Sequence, residues 1–264
     1  IHTVSEPQPM NASAIPTPIL CYGGTSSIDV GGAGGTPPYT GTGIFTRPAG
    51  TYTFTVTDAN GCWDTVTVTL TEPPQLFAHA GATPILCAGD NSTITVTATG
   101  GTPGYSGTGT FLRPAGTYTF TVSDANGCAA SITLTVTEPP ALTAGATATP
   151  IMCNGDSAVV TVTASGGTPP YSGIGNYTVV SGTYTYTVTD YHGCTTSTTI
   201  IVVEPPTLVA AADAPPIPCT GGTTTITVSA SGGTPPYNGV GTFSHGAGTY
   251  TFIVTDANGC ADTT

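Results

Sequence analysis

The eight cysteines recur in a fixed rhythm, and this rhythm constrains the fold more than any other feature of the sequence. The gaps between successive cysteines alternate between 41 and 25, and one gap of each kind makes a period of 66. The positions are Cys21, Cys62, Cys87, Cys128, Cys153, Cys194, Cys219 and Cys260. The 264 residues hold four such periods, which predicts four small repeated units rather than one large domain.

Each period also repeats a strand pattern. In the first period Tyr52, Phe54 and Val56 alternate with threonines, and strict alternation is typical of a strand with one buried face. Asn60 and Gly61 follow, and Asn-Gly after such a strand is a strong hairpin signal. With 36 glycines and 24 prolines there is little room for helices. We therefore predict an all-β chain of four tandem β-sandwich domains, each with about six short strands.

The repeated Glu-Pro-Pro segments set the predicted domain boundaries, because paired prolines interrupt strand pairing. The predicted domains are residues 8–73, 74–139, 140–205 and 206–264. The fourth domain lacks its last strand, and residues 1–7 resemble that strand.

The cysteines are predicted to form disulfides. A unit of this size is marginal for a self-sufficient core, and two cysteines per unit meet that need in an oxidising, extracellular setting. We favour pairing within each unit, with Cys21 joined to Cys62 and so on along the chain. The alternative joins neighbouring units, for example Cys21 with Cys128. Metal binding by the cysteines is disfavoured because no CxxC spacing occurs.

Composition excludes several classes of partner. The net charge is −12, and the only basic residues are Arg47 and Arg113, so nucleic acid and anionic membrane surfaces are poor partners. No apolar run approaches the roughly 20 residues that a membrane helix needs, so no membrane insertion is predicted. An enzyme is not predicted either, and no cofactor is required. The four histidines lie at unrelated phases of the repeat and suggest no catalytic arrangement. They are His2, His79, His192 and His245.

Three motifs of the repeat carry a resemblance to a known family. They are Gly-Gly-Thr-Pro-Pro-Tyr, Ala-Gly-Thr-Tyr-Thr-Phe-Thr-Val-Thr-Asp-Ala-Asn-Gly-Cys and Thr-Glu-Pro-Pro, which begin in the first period at residues 34, 49 and 71. These motifs resemble the repeat of the gliding-adhesin (SprB-type) proteins of Bacteroidetes surfaces. The resemblance implies immunoglobulin-like sandwiches in a secreted, repetitive cell-surface protein.

The first and last residues suggest how copies assemble. Joining Thr264 to Ile1 restores the sequence pattern of residues 62–73 without a gap, and the cysteine gap across the join is again 25. One interpretation is that an N-terminal strand completes domain 4 of a neighbouring copy, since an added strand covers an exposed edge. The other is a continuous repeat chain. Both predict a fibre, and strand donation predicts a homopolymer assembled head to tail. The strand would consist of Ile1, His2, Thr3, Val4, Ser5 and Glu6.

Covalent glycans are predicted, because a chain with 6% charged residues needs another source of solubility. Three candidates lie in N-x-Ser/Thr sequons, namely Asn11, Asn91 and Asn176. Three more lie in Asp-Ser/Thr-apolar motifs that resemble Bacteroidetes O-glycosylation sites, namely Thr65, Ser157 and Thr263. The alternative is that the threonine rows are bare strand faces.

Calcium is a weaker candidate. Acidic residues of the hairpin turns and unit junctions could supply oxygen ligands, for example Glu72 with Asp124. The preference of Asp and Asn for turns is the stronger explanation. The full candidate set is Glu72, Asp124, Glu138, Asp190, Glu204 and Asp256.

The sequence therefore predicts the structural protomer of an extracellular bacterial filament. The alternative is an adhesin stalk segment that binds surface glycans. Trp63, the only tryptophan, could stack on a sugar, but we expect it to be packed at the start of its strand.

Overall fold

The alternation of threonine with apolar residues produces strands along the whole chain. A computed structural model describes residues 2–264, and among these it contains twenty strands and no helix. The predicted all-β fold is confirmed. Within residues 2–264 no helix has the length and hydrophobicity needed to cross a membrane.

Five consecutive strands form what we term a module, and the first two modules hold β1 to β10. Module 1 contains β1 (Asn11–Pro16), β2 (Ser26–Ala33), β3 (Gly43–Arg47), β4 (Gly50–Thr57) and β5 (Trp63–Leu70). Module 2 contains β6 (Phe77–Ala82), β7 (Ser92–Thr99), β8 (Gly109–Arg113), β9 (Gly116–Ser123) and β10 (Ala129–Val136).

The remaining strands repeat this order. Module 3 contains β11 (Thr143–Ala148), β12 (Ala158–Ser165), β13 (Gly175–Val179), β14 (Gly182–Thr189) and β15 (Thr195–Val202). Module 4 contains β16 (Val209–Asp213), β17 (Thr224–Ser231), β18 (Gly241–His245), β19 (Ile253–Thr255) and β20 (Ala261–Thr263).

Two antiparallel sheets form each module. In module 1, β2 pairs with β1 and β3, while β4 pairs with β5 over a register that runs from Gly50 opposite Leu70 to Thr57 opposite Trp63. About six strands were expected and five form. The segment between β1 and β2 is a loop, because Pro18 has no backbone N–H and Gly24 closes a turn on the carbonyl of Cys21.

The buried faces are those that the alternation predicts. Ile28 and Val30 of β2 pack against Phe54 and Val56 of β4, and Leu70 of β5 completes the cluster. Each of the other modules has an equivalent cluster. The predicted core positions are therefore confirmed.

The outer face of the two-stranded sheets is a threonine ladder. Hydroxyls of facing threonines lie within hydrogen-bond distance across the strands, as in Thr51 with Thr69 at 3.1 Å and Thr53 with Thr67 at 2.9 Å. Thr119 and Thr133 repeat this arrangement in module 2 at 3.0 Å. Cross-strand hydroxyl pairs of this kind stabilise a sheet modestly while leaving its face polar.

The chain divides into two compact units. Unit 1 comprises the residues up to Ile85 together with Gly89–Glu138, and so holds modules 1 and 2. Unit 2 comprises Leu86–Ala88 and Pro139–Thr264. The predicted domain boundaries at residues 73, 139 and 205 are not tested by this division and stay predictions.

Module 4 differs from the others in its two-stranded sheet. β19 and β20 have three residues each, whereas β4 and β5 have eight. The pairing stops at Phe252 and Thr264, which exchange two backbone hydrogen bonds. Residues 248–251 therefore lie outside the sheet, although their counterparts 50–53 are paired.

Candidate functional site

The candidate site combines two recurring segments, and the first is the Asp turn. We use this name for residues 58–62 and their counterparts 124–128, 190–194 and 256–260. In module 1 the Asp58 carboxylate accepts hydrogen bonds from the backbone N–H groups of Thr36 (2.9 Å), Asn60 (2.9 Å) and Cys62 (2.8 Å). Three such bonds fix the turn and tie it to the loop after β2.

These hydrogen bonds also favour the ionised form of the Asp58 carboxyl. The N–H of Thr36 lowers the pKa of Asp58, and the N–H groups of Cys62 and Asn60 add to the effect against the opposing effect of burial. The pKa of Asp124 is lowered in the same way, first by Thr102. For Asp190 and Asp256 burial is the largest single effect and opposes the shift, but the N–H bonds together outweigh it.

A glycine makes room for the Asp turn. Gly35 has φ of 58°, and a Cβ there would lie 2.6 Å from Oδ2 of Asp58. Both observations exclude any other residue without rearrangement. Tyr39 then closes the loop by donating its hydroxyl to the carbonyl of Gly34 at 2.7 Å. The second glycine and the tyrosine of the Gly-Gly-Thr-Pro-Pro-Tyr motif thus each have a structural role in this loop.

The second segment is the cysteine loop, our name for residues 17–25 and their counterparts 83–91, 149–157 and 215–223. In module 1 the Glu72 carboxylate at the end of the module accepts a hydrogen bond from the N–H of Gly23 at 2.6 Å. Glu138 binds the N–H of Gly89 at 2.7 Å in the same way. Each glutamate thereby anchors the cysteine loop of its own module.

Module 3 repeats this contact and adds one. Glu204 accepts from the N–H of Gly155 at 2.7 Å and from the hydroxyl of Ser181 at 2.8 Å. The N–H of Gly155 is the main reason that the pKa of Glu204 is lowered, and Ser181 adds to it.

The disulfides join the cysteine loop of one module to the Asp turn of the next. Three bridges form among the described residues, each with a sequence separation of 107 and a Cα–Cα distance of 5.6 or 5.7 Å. They are Cys21–Cys128 in unit 1, and Cys87–Cys194 and Cys153–Cys260 in unit 2. The thiols of Cys62 and Cys219 are free and exposed.

The favoured pairing within each unit was therefore wrong, and the alternative pairing was right. Cys21 precedes β2, whereas the turn that holds Cys62 bonds to Thr36, which follows β2. Eight residues of strand separate these ends by about 26 Å. A disulfide tolerates a Cα–Cα distance of no more than about 7 Å. The two cysteines of one module thus lie at opposite ends of it.

An asparagine side chain supports two of the bridges. Nδ2 of Asn126 donates to the carbonyl of Leu20 at 3.0 Å, beside the Cys21–Cys128 bridge, and also to the Thr102 hydroxyl at 2.9 Å. Asn258 and the Met152 carbonyl repeat the first contact at 2.9 Å. His192 holds the equivalent position in module 3, where the described contacts include no such side-chain bond.

The candidate calcium ligands have other partners in the structure. The carboxylates of Glu72, Glu138 and Glu204 bind loop N–H groups, and those of Asp124, Asp190 and Asp256 bind turn N–H groups. Across residues 2–264 no group of three or more His, Cys, Asp and Glu side chains is arranged to hold a metal ion. Calcium binding stays an untested prediction.

All six candidate glycosylation residues are exposed. Asn11 and Asn176 lie on strands β1 and β13, Asn91 directly precedes β7, and Thr65 lies on β5. Ser157 and Thr263 complete the set. Exposure permits modification, and glycosylation remains a prediction.

The aspartate next to Thr65 has a structural role that the sequence did not reveal. Asp64 of β5 accepts a hydrogen bond from the N–H of Ala12 in β1 at 2.8 Å, and this N–H is the main reason that its pKa is lowered. Asp262 and Ala210 repeat the bond in module 4. The bond joins the two sheets of a module. The sequence feature that marks it is the same Asp-Thr motif that suggested a glycan.

The predicted assembly strand is exposed and unpaired. His2, Thr3, Val4, Ser5 and Glu6 lie outside any strand, and the side chain of Val4 is 94% exposed. Ile1 lies outside the described residues. Pairing of this segment with another copy is untested.

The expectation for Trp63 was wrong. Its indole is 67% exposed because Trp63 begins β5 on the outward side of the alternation, opposite Thr57. The alternation of β5 makes the even-numbered positions face the core, as Val66 and Val68 do, so position 63 faces solvent.

Comparisons with known proteins support the predicted repeat type. The SprB repeat family model matches residues 80–106 and 145–172. These stretches run from β6 to the Pro-Gly-Tyr loop of module 2 and through the same part of module 3, so the resemblance is confirmed there. No curated protein matches the sequence.

One solved structure with a detectable likeness contains the N-terminal eight Ig domains of Down syndrome cell adhesion molecule. The sequences are 14% identical, and the TM-score is 0.28. The match covers 98% of this chain and 54% of that chain, so this chain spans about half the length of that structure.

Proposed function

We propose that this chain, which carries SprB repeats, is a structural segment of an extracellular filament on a bacterial surface. The observation that supports this best is the connectivity of the disulfides, each of which joins one repeat to the next. A chain whose repeats are covalently linked outside the peptide backbone suits a part that transmits tension. Disulfides of this number also fit an oxidising environment outside the cell.

The finer proposal is that copies assemble head to tail by strand donation. The edge that a donated strand would occupy is residues 248–251 of module 4, whose counterparts in module 1 pair with residues 67–70. The side chain of Tyr250 in this edge is 38% exposed. Its counterpart Tyr52, which is paired with Val68 of β5, is half-buried. An unpaired edge of this kind is a template for a strand from another chain.

The hydrogen bond from the cysteine loop to the glutamate of the same module, seen in modules 1 to 3, supports the same register for the donated strand. Glu6 stands one period before Glu72, and Gly221 stands one period after Gly155. Since Glu72 binds Gly23 and Glu204 binds Gly155, Glu6 of a donated strand would bind Gly221 of the receiving copy. A continuous repeat chain would make the same contact from its own next repeat.

A matched pair of variants tests strand donation. In the donated strand Val4 would face the core and Thr3 the solvent, so Val4→Asp should abolish assembly whereas Thr3→Asp should leave it intact. Electron microscopy and sedimentation of purified protein measure assembly. Equal assembly of both variants contradicts strand donation, and a wild-type protein that stays monomeric contradicts the filament. Native material that stays very large after boiling and reduction indicates the continuous chain.

An adhesin stalk that binds surface glycans is the second candidate. The exposed indole of Trp63 favours it, since exposed aromatic rings stack on sugars. A glycan array compares the wild type with Trp63→Ala. Loss of a bound glycan in the variant supports this function, and no binding by the wild type contradicts it.

A further inference from the structure

The two free cysteines are the unpaired halves of a bridge that the chain already forms three times. Every bridge joins a cysteine of a cysteine loop to a cysteine of an Asp turn. Cys219 belongs to a cysteine loop and Cys62 belongs to an Asp turn, and both are exposed. The chain thus carries one free thiol of each kind.

Both free cysteines have the local backbone of their bridged counterparts. The N–H of Cys62 donates to Asp58 at 2.8 Å, as the N–H of Cys128 does to Asp124 at 2.9 Å. The carbonyl of Cys219 accepts from Gly222 at 3.0 Å, as in the loop of Cys21. Each free cysteine thus already has a backbone hydrogen bond that its bridged counterparts have.

An asparagine beside Cys62 points to the same partner independently of the thiol. Nδ2 of Asn126 donates to its own module at Thr102 and to the Leu20 carbonyl of the bridged loop. Nδ2 of Asn60 makes the first of these bonds, to Thr36 at 2.9 Å, and its described contacts do not include the second. At the bridged sites the second acceptor is the carbonyl that directly precedes the loop cysteine, and Pro218 occupies that position before Cys219.

We propose that Cys219 of one copy forms a disulfide with Cys62 of a second copy, and that Asn60 of the second copy binds the Pro218 carbonyl of the first. The two free cysteines of a single chain do not fit this pairing with each other, because of the order of the cysteines. In all three bridges the loop cysteine precedes the turn cysteine by 107 residues, whereas Cys62 precedes Cys219 within one chain. The inference rests on the proposed end-to-end assembly and adds a covalent lock to it.

The bond is an oxidation of two thiols. Cys62 and Cys219 together lose two protons and two electrons as the sulfur–sulfur bond forms. A small-molecule disulfide accepts them, and its own sulfur–sulfur bond breaks to give two thiols. The extracellular setting supplies oxidants of this class.

Single serine variants and their mixture test the pairing. Wild type, Cys62→Ser and Cys219→Ser are each incubated with oxidised and reduced glutathione and run on a non-reducing gel. The wild type should form a ladder of multiples of 26.1 kDa. Each variant alone should stay monomeric, and an equimolar mixture should stop at the dimer. Mass spectrometry of a chymotryptic digest should find Cys62 joined to Cys219.

Three results would overturn the inference: a wild type without the ladder, a single variant that forms the dimer at wild-type yield, or crosslinked peptides that join Cys62 to Cys62. The double variant Cys62→Ser/Cys219→Ser separates the lock from the filament. If electron microscopy shows filaments of both the wild type and the double variant, and the wild type forms no ladder, the filament proposal is supported and the disulfide lock is refuted. Absence of both filaments and ladder refutes both.

Discussion

A buried carboxylate organises each Asp turn. Asp58 draws three N–H groups towards itself, and Asp124, Asp190 and Asp256 do the same. The sequence predicted a turn at Asp-x-Asn-Gly correctly. It could not show that the carboxylate also reaches the loop after β2, because that contact joins residues 22 positions apart.

The Asp turns should make the fold sensitive to acid. The pKa values of Asp58, Asp124, Asp190 and Asp256 are lowered from 3.8 in the folded state, so folding is favoured by their ionised forms. Their contribution is present above about pH 4 and is lost as the pH falls through the folded pKa values. As the pH is lowered from 7 to 2, the urea concentration at the unfolding midpoint should stay level down to about pH 4 and then fall.

Two asparagine variants check the cause of this acid sensitivity. Asp124→Asn should lower the midpoint at pH 7 and flatten the drop in acid, since the variant has no carboxylate to protonate. Asp156→Asn, at an exposed position outside the turns, is the control and should leave the curve unchanged. A curve for Asp124→Asn that parallels the wild type would contradict this account.

His192 replaces the asparagine that supports the other bridges, and restoring it should stabilise unit 2. In His192→Asn the new amide can donate to Thr168 and to the Leu86 carbonyl, as Asn126 does to Thr102 and Leu20. A typical intramolecular hydrogen bond contributes about 1 kcal/mol. Thermal unfolding should show a higher midpoint, and His192→Ala, which adds no donor, should not. Equal midpoints for the two variants would refute this role of the asparagine.

At the level of strands, alternation allowed the core to be predicted almost completely. Ile28, Val30, Phe54 and Val56 are buried as expected, because the period of two specifies which face is covered. The number of strands and the exposure of Trp63 were wrong. The exposure of Trp63 follows from the same alternation, because position 63 is out of phase with Val66 and Val68.

One core position carries a polar group in module 3 that its counterparts in the other modules lack. Tyr186 of β14 occupies the position of Phe54, Phe120 and Phe252, and its hydroxyl is buried without a hydrogen-bond partner among the described residues. Burial is the main reason that its pKa is raised. The hydroxyl therefore costs stability that phenylalanine would not.

Tyr186→Phe should raise the thermal midpoint of unit 2 by roughly 2–4 °C. Tyr184→Phe, two residues earlier on β14, is the matched control. Its hydroxyl donates to the Val180 carbonyl at 3.0 Å, so its removal should lower the midpoint. Differential scanning calorimetry measures both, and a decrease for Tyr186→Phe would show that the hydroxyl has an unrecognised partner.

For the whole molecule, the rhythm of the cysteines was informative but ambiguous. Gaps of 41 and 25 fit pairing within a repeat and pairing between repeats equally well. The pairing is decided by the positions of Cys21 and the turn of Cys62, which lie at opposite ends of β2. The spacing of the cysteines in the sequence does not show this. The resemblance to SprB repeats could be predicted, since it depends on local motifs.

The bridges should limit how far the chain can be stretched. The shortest covalent path between residues 1 and 264 runs through Cys21–Cys128 and Cys153–Cys260 and contains about 50 residues, or about 170 Å when extended, against about 900 Å for the reduced chain. Single-molecule force spectroscopy of a chain held at its two ends measures both lengths.

A variant without the first bridge gives an intermediate value. Cys21→Ser/Cys128→Ser leaves a shortest path of about 130 residues, or about 450 Å. The same length for this variant and for the oxidised wild type would show that the first bridge does not form.

The overlap of the bridges has a consequence for durability. The spans 21–128, 87–194 and 153–260 together enclose every peptide bond between residues 21 and 260. Hydrolysis of any one of these bonds leaves the two fragments tied by at least one disulfide. A protease outside the cell can therefore nick this segment at a single site without severing it.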